Sequence, residues 1–156
     1  MIMDNSIPAA GKRTSLVDLL LEVDKLSIHY QVEIDPEEMD DFARRSAVYN
    51  GLERENLIRF VRYVNSAIPK IDFGASNPNS GRAFHKFHVG NEGSRVIYIH
   101  VAKFYLYRHS PEEWTDEKIR ILGDSIARFA KKNARADEAD IVKDDAHALI
   151  IRVWWD

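Results

Sequence analysis

Apolar side chains recur along this chain at two periods, and the period changes midway. Leu16, Leu19, Leu20, Val23 and Leu26 fall on one side of a helical turn, which predicts a helix over residues 15–29 capped by Thr14 or Ser15. A sharper start follows. Asp35 suits an N-cap, Pro36 the first helical position, and Glu37 and Glu38 the positive end of the helix dipole. Met39, Phe42 and Ala43 give this helix an apolar side, and Asn50-Gly51 reads as its stop. Leu57, Phe60, Val61, Val64 and Ile68 form the stripe of a third helix, from about residue 52 to 67, which Pro69 ends.

Residues 74–81, Gly-Ala-Ser-Asn-Pro-Asn-Ser-Gly, are the clearest loop. After it the period becomes two. Residues 83–89 and 94–108 flank Gly90-Asn91-Glu92-Gly93 and predict a hairpin. Its second strand is apolar on both faces (Val96, Ile97, Tyr98, Ile99, Val101, Phe104, Leu106), as a central strand would be. Ser110 and Glu113 have capping-box spacing and predict a helix to about residue 132, with Trp114, Ile119, Leu122, Ile126 and Phe129 inward. Residues 139–143 and 146–155 read as a closing hairpin turning near Asp144-Asp145.

The order is N-terminal helices, then hairpin, helix, hairpin. It predicts an α+β fold: a mostly antiparallel four-stranded sheet with helices packed on one face. Residues 1–14 are expected to be a flexible leader and residues 15–156 one domain, since either half alone would be marginal. The expected core is Leu20, Val23, Phe42, Leu57, Phe60, Val64, Val96, Leu106, Leu122, Ile126, Phe129 and Ile150.

Composition narrows the function classes. The 156 residues include no cysteine, which excludes disulfides, thiolate metal sites and cysteine nucleophiles. No apolar run reaches the roughly 20 residues of a membrane helix, and residues 1–14 lack the plan of a signal peptide, so the cytoplasm is the expected location. Net charge is −3, but it is unevenly spread. Residues 71–110 hold 5 basic and 2 acidic side chains, while residues 1–70 hold 9 and 12 and residues 111–156 hold 8 and 11. His85, His88, His100 and His109, four of the six histidines, share the positive segment. Such asymmetry marks a candidate interaction face.

Phosphate-loop, dinucleotide, nucleophile-elbow, calcium-loop and paired-histidine zinc motifs are absent. Strand geometry also argues against a three-histidine metal site. If Val89 pairs with Ser94, His85 shares a face with His100, while His88 lies opposite Arg95 on the face of Lys86. An odd shift exchanges the two histidines but never unites all three. His100 sits among apolar neighbours, where burial would lower its pKa, yet no carboxylate is placed to orient it as a base.

The expectation is a non-catalytic binding protein without cofactor or metal: a small regulator, inhibitor, antitoxin or immunity-type partner. Its partner would be a protein with an acidic surface, met by a basic, histidine-bearing hairpin or a sheet edge. The binding residues are expected to be Arg82, Lys86, His88, Arg95, Lys103 and Arg108, with Trp155 as aromatic anchor. Trp154 and Trp155 are adjacent, so a strand buries one and turns the other outward. An alternative is a nucleic-acid-binding module, since Phe84, Phe87, Tyr98, Phe104, Tyr105 and Tyr107 accompany the basic residues. A second is a small hydrolase or nuclease using His85 or His100.

Overall fold

The computed structural model describes residues 17–18, 31–46, 53–69, 84–91 and 95–156. The expected leader, nearly all of the first helix, Leu20, Val23, the 74–81 loop and Arg82 lie outside them. In chain order the elements are β1 (Gln31–Ile34), α1 (Pro36–Arg45), α2 (Arg54–Ala67), β2 (His85–Asn91), β3 (Arg95–Val101), α3 (Lys103–His109), α4 (Asp116–Asn133), β4 (Glu138–Asp144) and β5 (Leu149–Trp155). The α+β class and the antiparallel sheet are as expected. The sheet has five strands rather than four, in the order β1-β2-β3-β5-β4, every neighbour antiparallel.

The extra strand is β1. Its four residues, Gln-Val-Glu-Ile, alternate polar and apolar, but so short a run has little periodicity to distinguish it from the approach to a helix. It ends where α1 begins, and the Glu38 carboxylate there accepts the Asp35 backbone N–H at 3.2 Å. β3 in turn stops at Val101, well before residue 108. Lys103 and Leu106 turn inward at helical spacing, while Phe104, Tyr105 and Tyr107 face solvent, so the aromatic run is a short helix and not a central strand. The Ser110–Glu113 box does not start α4. Glu113 and Trp114 donate their N–H groups to the Ser110 carbonyl in a separate turn, and Thr115 caps α4 by accepting from the Lys118 N–H at 3.2 Å.

The core lies between the helices and one face of the sheet. Phe42, Leu57, Phe60, Val64, Val96, Leu106, Leu122 and Ile126 are buried as expected. Phe129 is only partly buried, stacked on Tyr63 at 4.1 Å. Ile150 is half-buried because it belongs to the opposite face of β5 from Leu149 and Ile151. Trp155 is fully buried, packs edge-on against Phe60 at 5.7 Å and donates its indole N–H to the Ala134 carbonyl at 2.8 Å. Trp154 is half-buried on the other side of the strand, the expected split. At the β4–β5 turn the Asp145 carboxylate accepts the N–H groups of Ala148 and His147, which hold its pKa down at about 2.

α4 lies close on β4 and β5 because it carries Gly123 at the contact. A Cβ there would stand 2.8 Å from Leu149 Cδ2 and 3.1 Å from Ile141 Cδ1. A branched side chain would have to push the helix off the sheet. Gly123→Val is therefore expected to destabilise the fold by about 1–3 kcal/mol despite the better helix propensity of valine. Chemical denaturation of the purified protein checks this; unchanged stability would show that the helix can slide at no penalty.

Candidate binding surface

The pleat assigns every strand residue to one of two faces. One face carries Phe87, Val89, Ile97, Ile99, Leu149, Ile151, Val153 and Trp155, and it is buried. α2 and α4 cover it through Trp155 with Phe60 and through Leu149 with Gly123. On the opposite face, residues paired across strands form three rows. The first runs Gln31, Gly90, Val96, Trp154, Glu138. The second runs Glu33, His88, Tyr98, Arg152, Asp140. The third runs Lys86, His100, Ile150, Lys143.

The β2–β3 register differs from the expected one. Val89 pairs with Ile97, not Ser94, because β2 continues through Asn91, which pairs with Arg95. That is a shift of three residues, and an odd shift exchanges faces. His88, not His85, therefore joins His100, and Arg95 turns into the core, where its guanidinium donates to the Gly90 carbonyl at 3.3 Å and lies 5.5 Å from the Phe42 ring. Lys86 and His88 remain on one face, but Arg95 does not share it.

Two more of the expected contact residues are also inside. Lys103 is buried, held by Asp144 at 2.6 Å and Asp116 at 3.4 Å. Burial by itself would lower its pKa, but the hydrogen bond and charge of Asp144, with Asp116, outweigh that and raise it. Trp155 is a core side chain and cannot anchor a partner. Arg108 is exposed on α3 over the Phe104 ring, away from the sheet rows. Lys86 and His88 are thus the expected contact residues that the described sheet keeps on its open face. Phe84 and Phe87 are buried, so the basic-aromatic segment does not form one stacking surface. Its exposed aromatics, Phe104, Tyr105 and Tyr107, all sit on α3.

The open face also holds residues that sequence reasoning missed, namely Glu33, Lys143, Arg152 and Trp154. They come from β1, β4 and β5, and only strand pairing brings them beside β2. Glu33 accepts from Lys86 Nζ at 3.0 Å through one oxygen and lies 3.2 Å from His88 Nε2 through the other. The hydrogen bond from Lys86 holds the Glu33 carboxyl below its ordinary range, against an opposing effect of burial. The rings of His88 and His100 stack at 3.9 Å. Arg152 reaches Glu138 at 3.1 Å. The buried indole N–H of Trp154 meets no acceptor among the described residues.

His85 lies on the helix side. Its Nε2 is 2.8 Å from Asn65 Oδ1, and Asn65 Nδ2 donates to the Pro36 carbonyl at 3.1 Å. That second bond orients the amide, so His85 carries its proton on Nε2. The pair borders a cleft of about 290 Å³ with Glu37, Asp40, Arg62 and Ser66. Among the described residues no group of three or more histidine, aspartate or glutamate side chains is placed to hold a metal ion, and no helix is long and apolar enough to cross a membrane.

Burial, and then the neighbouring His88, lower the His100 pKa from 6.5 to about 4; Lys143 acts the same way and Glu33 opposes. The unfolded chain then takes up a proton in that window that the folded chain refuses. The stability linked to His100 is fully present above pH 6.5 and is lost as the pH falls toward 4. His100→Gln should flatten this part of the stability profile. Denaturation midpoints of the wild type and variant, measured between pH 7 and 4, check it. Parallel profiles would remove His100 as the titrating group.

No protein-family model, no curated protein and no solved structure matches this chain, so function is inferred from the geometry of this surface alone.

Proposed function

We propose that this chain is a non-catalytic, cytoplasmic protein-binding domain of the regulator, inhibitor, antitoxin or immunity type, and that it meets its partner through the open face of its sheet. The composition of that face carries the reading. Tyr98, His100, Ile150 and Trp154, each half-buried, form a strip across β3 and β5, rimmed by Glu33, Lys86, Glu138, Asp140 and Lys143, while Val96 of the same face is fully buried. An aromatic and apolar centre with a charged rim is the anatomy of a protein interface, and tryptophan, tyrosine and arginine are the usual anchors.

The row Lys86, His100, Ile150, Lys143 contains no acid, which supports a partner with acidic side chains along that line. Lys86 and Lys143 are its exposed ends, with side chains 38% and 55% accessible. Reversing both, Lys86→Glu with Lys143→Glu, should leave folding nearly intact, since exposed charges contribute little to stability.

Affinity for the partner that co-purifies from the native host should fall by about tenfold or more, and the remaining binding should lose its salt dependence. Lys118→Glu, on the exposed side of α4, serves as the control and should bind as the wild type does. Retention of the same partner by the folded double variant at low salt would rule out this face.

A nucleic-acid reading is favoured by one observation, the three exposed aromatics of α3 beside Arg108. Salt-sensitive binding of a single-stranded oligonucleotide, abolished by Tyr105→Ala with Arg108→Ala, would establish it in place of the first.

A further inference from the structure

β4 is an edge strand: among the described residues it pairs with β5 and with no other strand. A strand paired on one side presents a line of backbone donors and acceptors on the other. Beside that edge runs α4, and the two enclose a groove of about 460 Å³. Ala127 of α4 and Ala139 and Ile141 of β4 line it with short or apolar side chains. Both alanines are buried, so the helix and the strand lie close at the floor. The helix wall carries Arg128, Lys131 and Lys132, while the acids lining the groove are Asp124 and Asp140.

The charges on the two sides of α4 differ in an informative way. Arg120, one turn or more earlier on the same helix, is bonded to Asp144 of β4 at 3.0 Å. Arg128, Lys131 and Lys132 have no such partner and make no ion pair among the described residues. The edge also changes along its length. A bulge lies between Ile141 and Lys143, which interrupts regular pairing at that end. Residues 138–141 pair regularly with β5, and Ala139, Asp140 and Ile141 among them line the groove. A usable hydrogen-bonding edge and a row of uncompensated cations therefore coincide.

We infer that this groove takes an extended, acidic peptide segment of a partner protein, added to β4 as a sixth strand of the sheet. Main-chain hydrogen bonds to residues 138–141 supply affinity independent of side chains. Carboxylates on alternate peptide residues point toward α4 and meet Arg128 and Lys131, which selects acidic over basic sequences. This surface is distinct from the open face, because α4 lies on the buried side of the sheet, and it stands whether or not the open face binds a partner.

The test uses the full chain and a fluorescent peptide of about ten residues alternating threonine and glutamate, a length that spans one strand. The expected result has four parts. The peptide binds, with affinity falling as salt rises. Amide hydrogen exchange slows at residues 138–141. Arg128→Glu with Lys131→Glu lowers affinity by about tenfold or more, and an otherwise equal threonine–lysine peptide does not bind. Of two further peptides, one N-methylated at every threonine and one at every glutamate, one loses binding because its ladder donors are gone.

Absence of binding overturns the inference. So does equal binding by both methylated peptides, which would leave charge attraction without strand pairing, and so does protection that maps elsewhere. Concentration-dependent dimerisation that the Arg128→Glu, Lys131→Glu variant abolishes would assign the edge to a second copy of the chain instead, and would also overturn it.

Discussion

The parity of the β2–β3 pairing governs what this domain can present. A strand has two faces and no others, so one choice of register fixes which β3 side chains share a face with which β2 side chains. With Asn91 opposite Arg95, the apolar residues Phe87, Val89, Ile97 and Ile99 meet the helices, and Lys86, His88, Tyr98 and His100 meet solvent. The alternative parity would turn Ile97 and Ile99 outward and drive Tyr98 and His100 under the helices. Burial of Ile97 and Ile99, each contributing about 1.5–3 kcal/mol, decides between the two. The histidine pair and its charged rim therefore owe their place to hydrophobic burial on the other side of the same strands.

The same requirement explains the buried cations. Arg95 is carried inward because its neighbours at alternate positions must be inward, and the protein accommodates it with the Gly90 carbonyl and the face of Phe42. Lys103 is pulled in by the first turn of α3 and is compensated by Asp144 and Asp116. Removing Asp144 would leave the buried Lys103 with only the longer contact to Asp116, which is costlier than never having built the pair. Both cations looked like surface contacts in a charge count, and both are parts of the scaffold.

Much of the fold was legible from residue order. α1, α2 and the two hairpins follow from helical stripes, the Asp35-Pro36 start and alternating strands, because these are local signals. What escaped detection was long-range or short. β1 has four residues, and its identity as a strand comes from β2, more than fifty positions away. The aromatic run 104–107 satisfies either period, and only the inward pair Lys103 and Leu106 resolves it as a helix. The candidate surface was half legible. Lys86 and His88 were found from charge and histidine density, whereas Glu33, Lys143 and Trp154 reach it through pairings that no local pattern encodes. Arg95 was misplaced by an odd error of three in a register, because Gly90 and Asn91, read as turn residues, belong to β2.

The strand order also dictates how the chain must assemble. β2 with β3, and β4 with β5, are hairpins whose ends are close in sequence, so each can form locally within microseconds. β3 and β5 join residues 48 to 60 positions apart, and β1 and β2 join residues 53 to 59 apart. Closing a loop of that length costs about 2 kcal/mol more than closing a four-residue turn. The β3–β5 seam therefore carries the entropic cost of joining the two ribbons, and the β1–β2 seam carries a similar one. Until the β3–β5 seam closes, both ribbons expose backbone that the native sheet pairs, and α4, which lies between them in sequence, is the segment that holds them within reach.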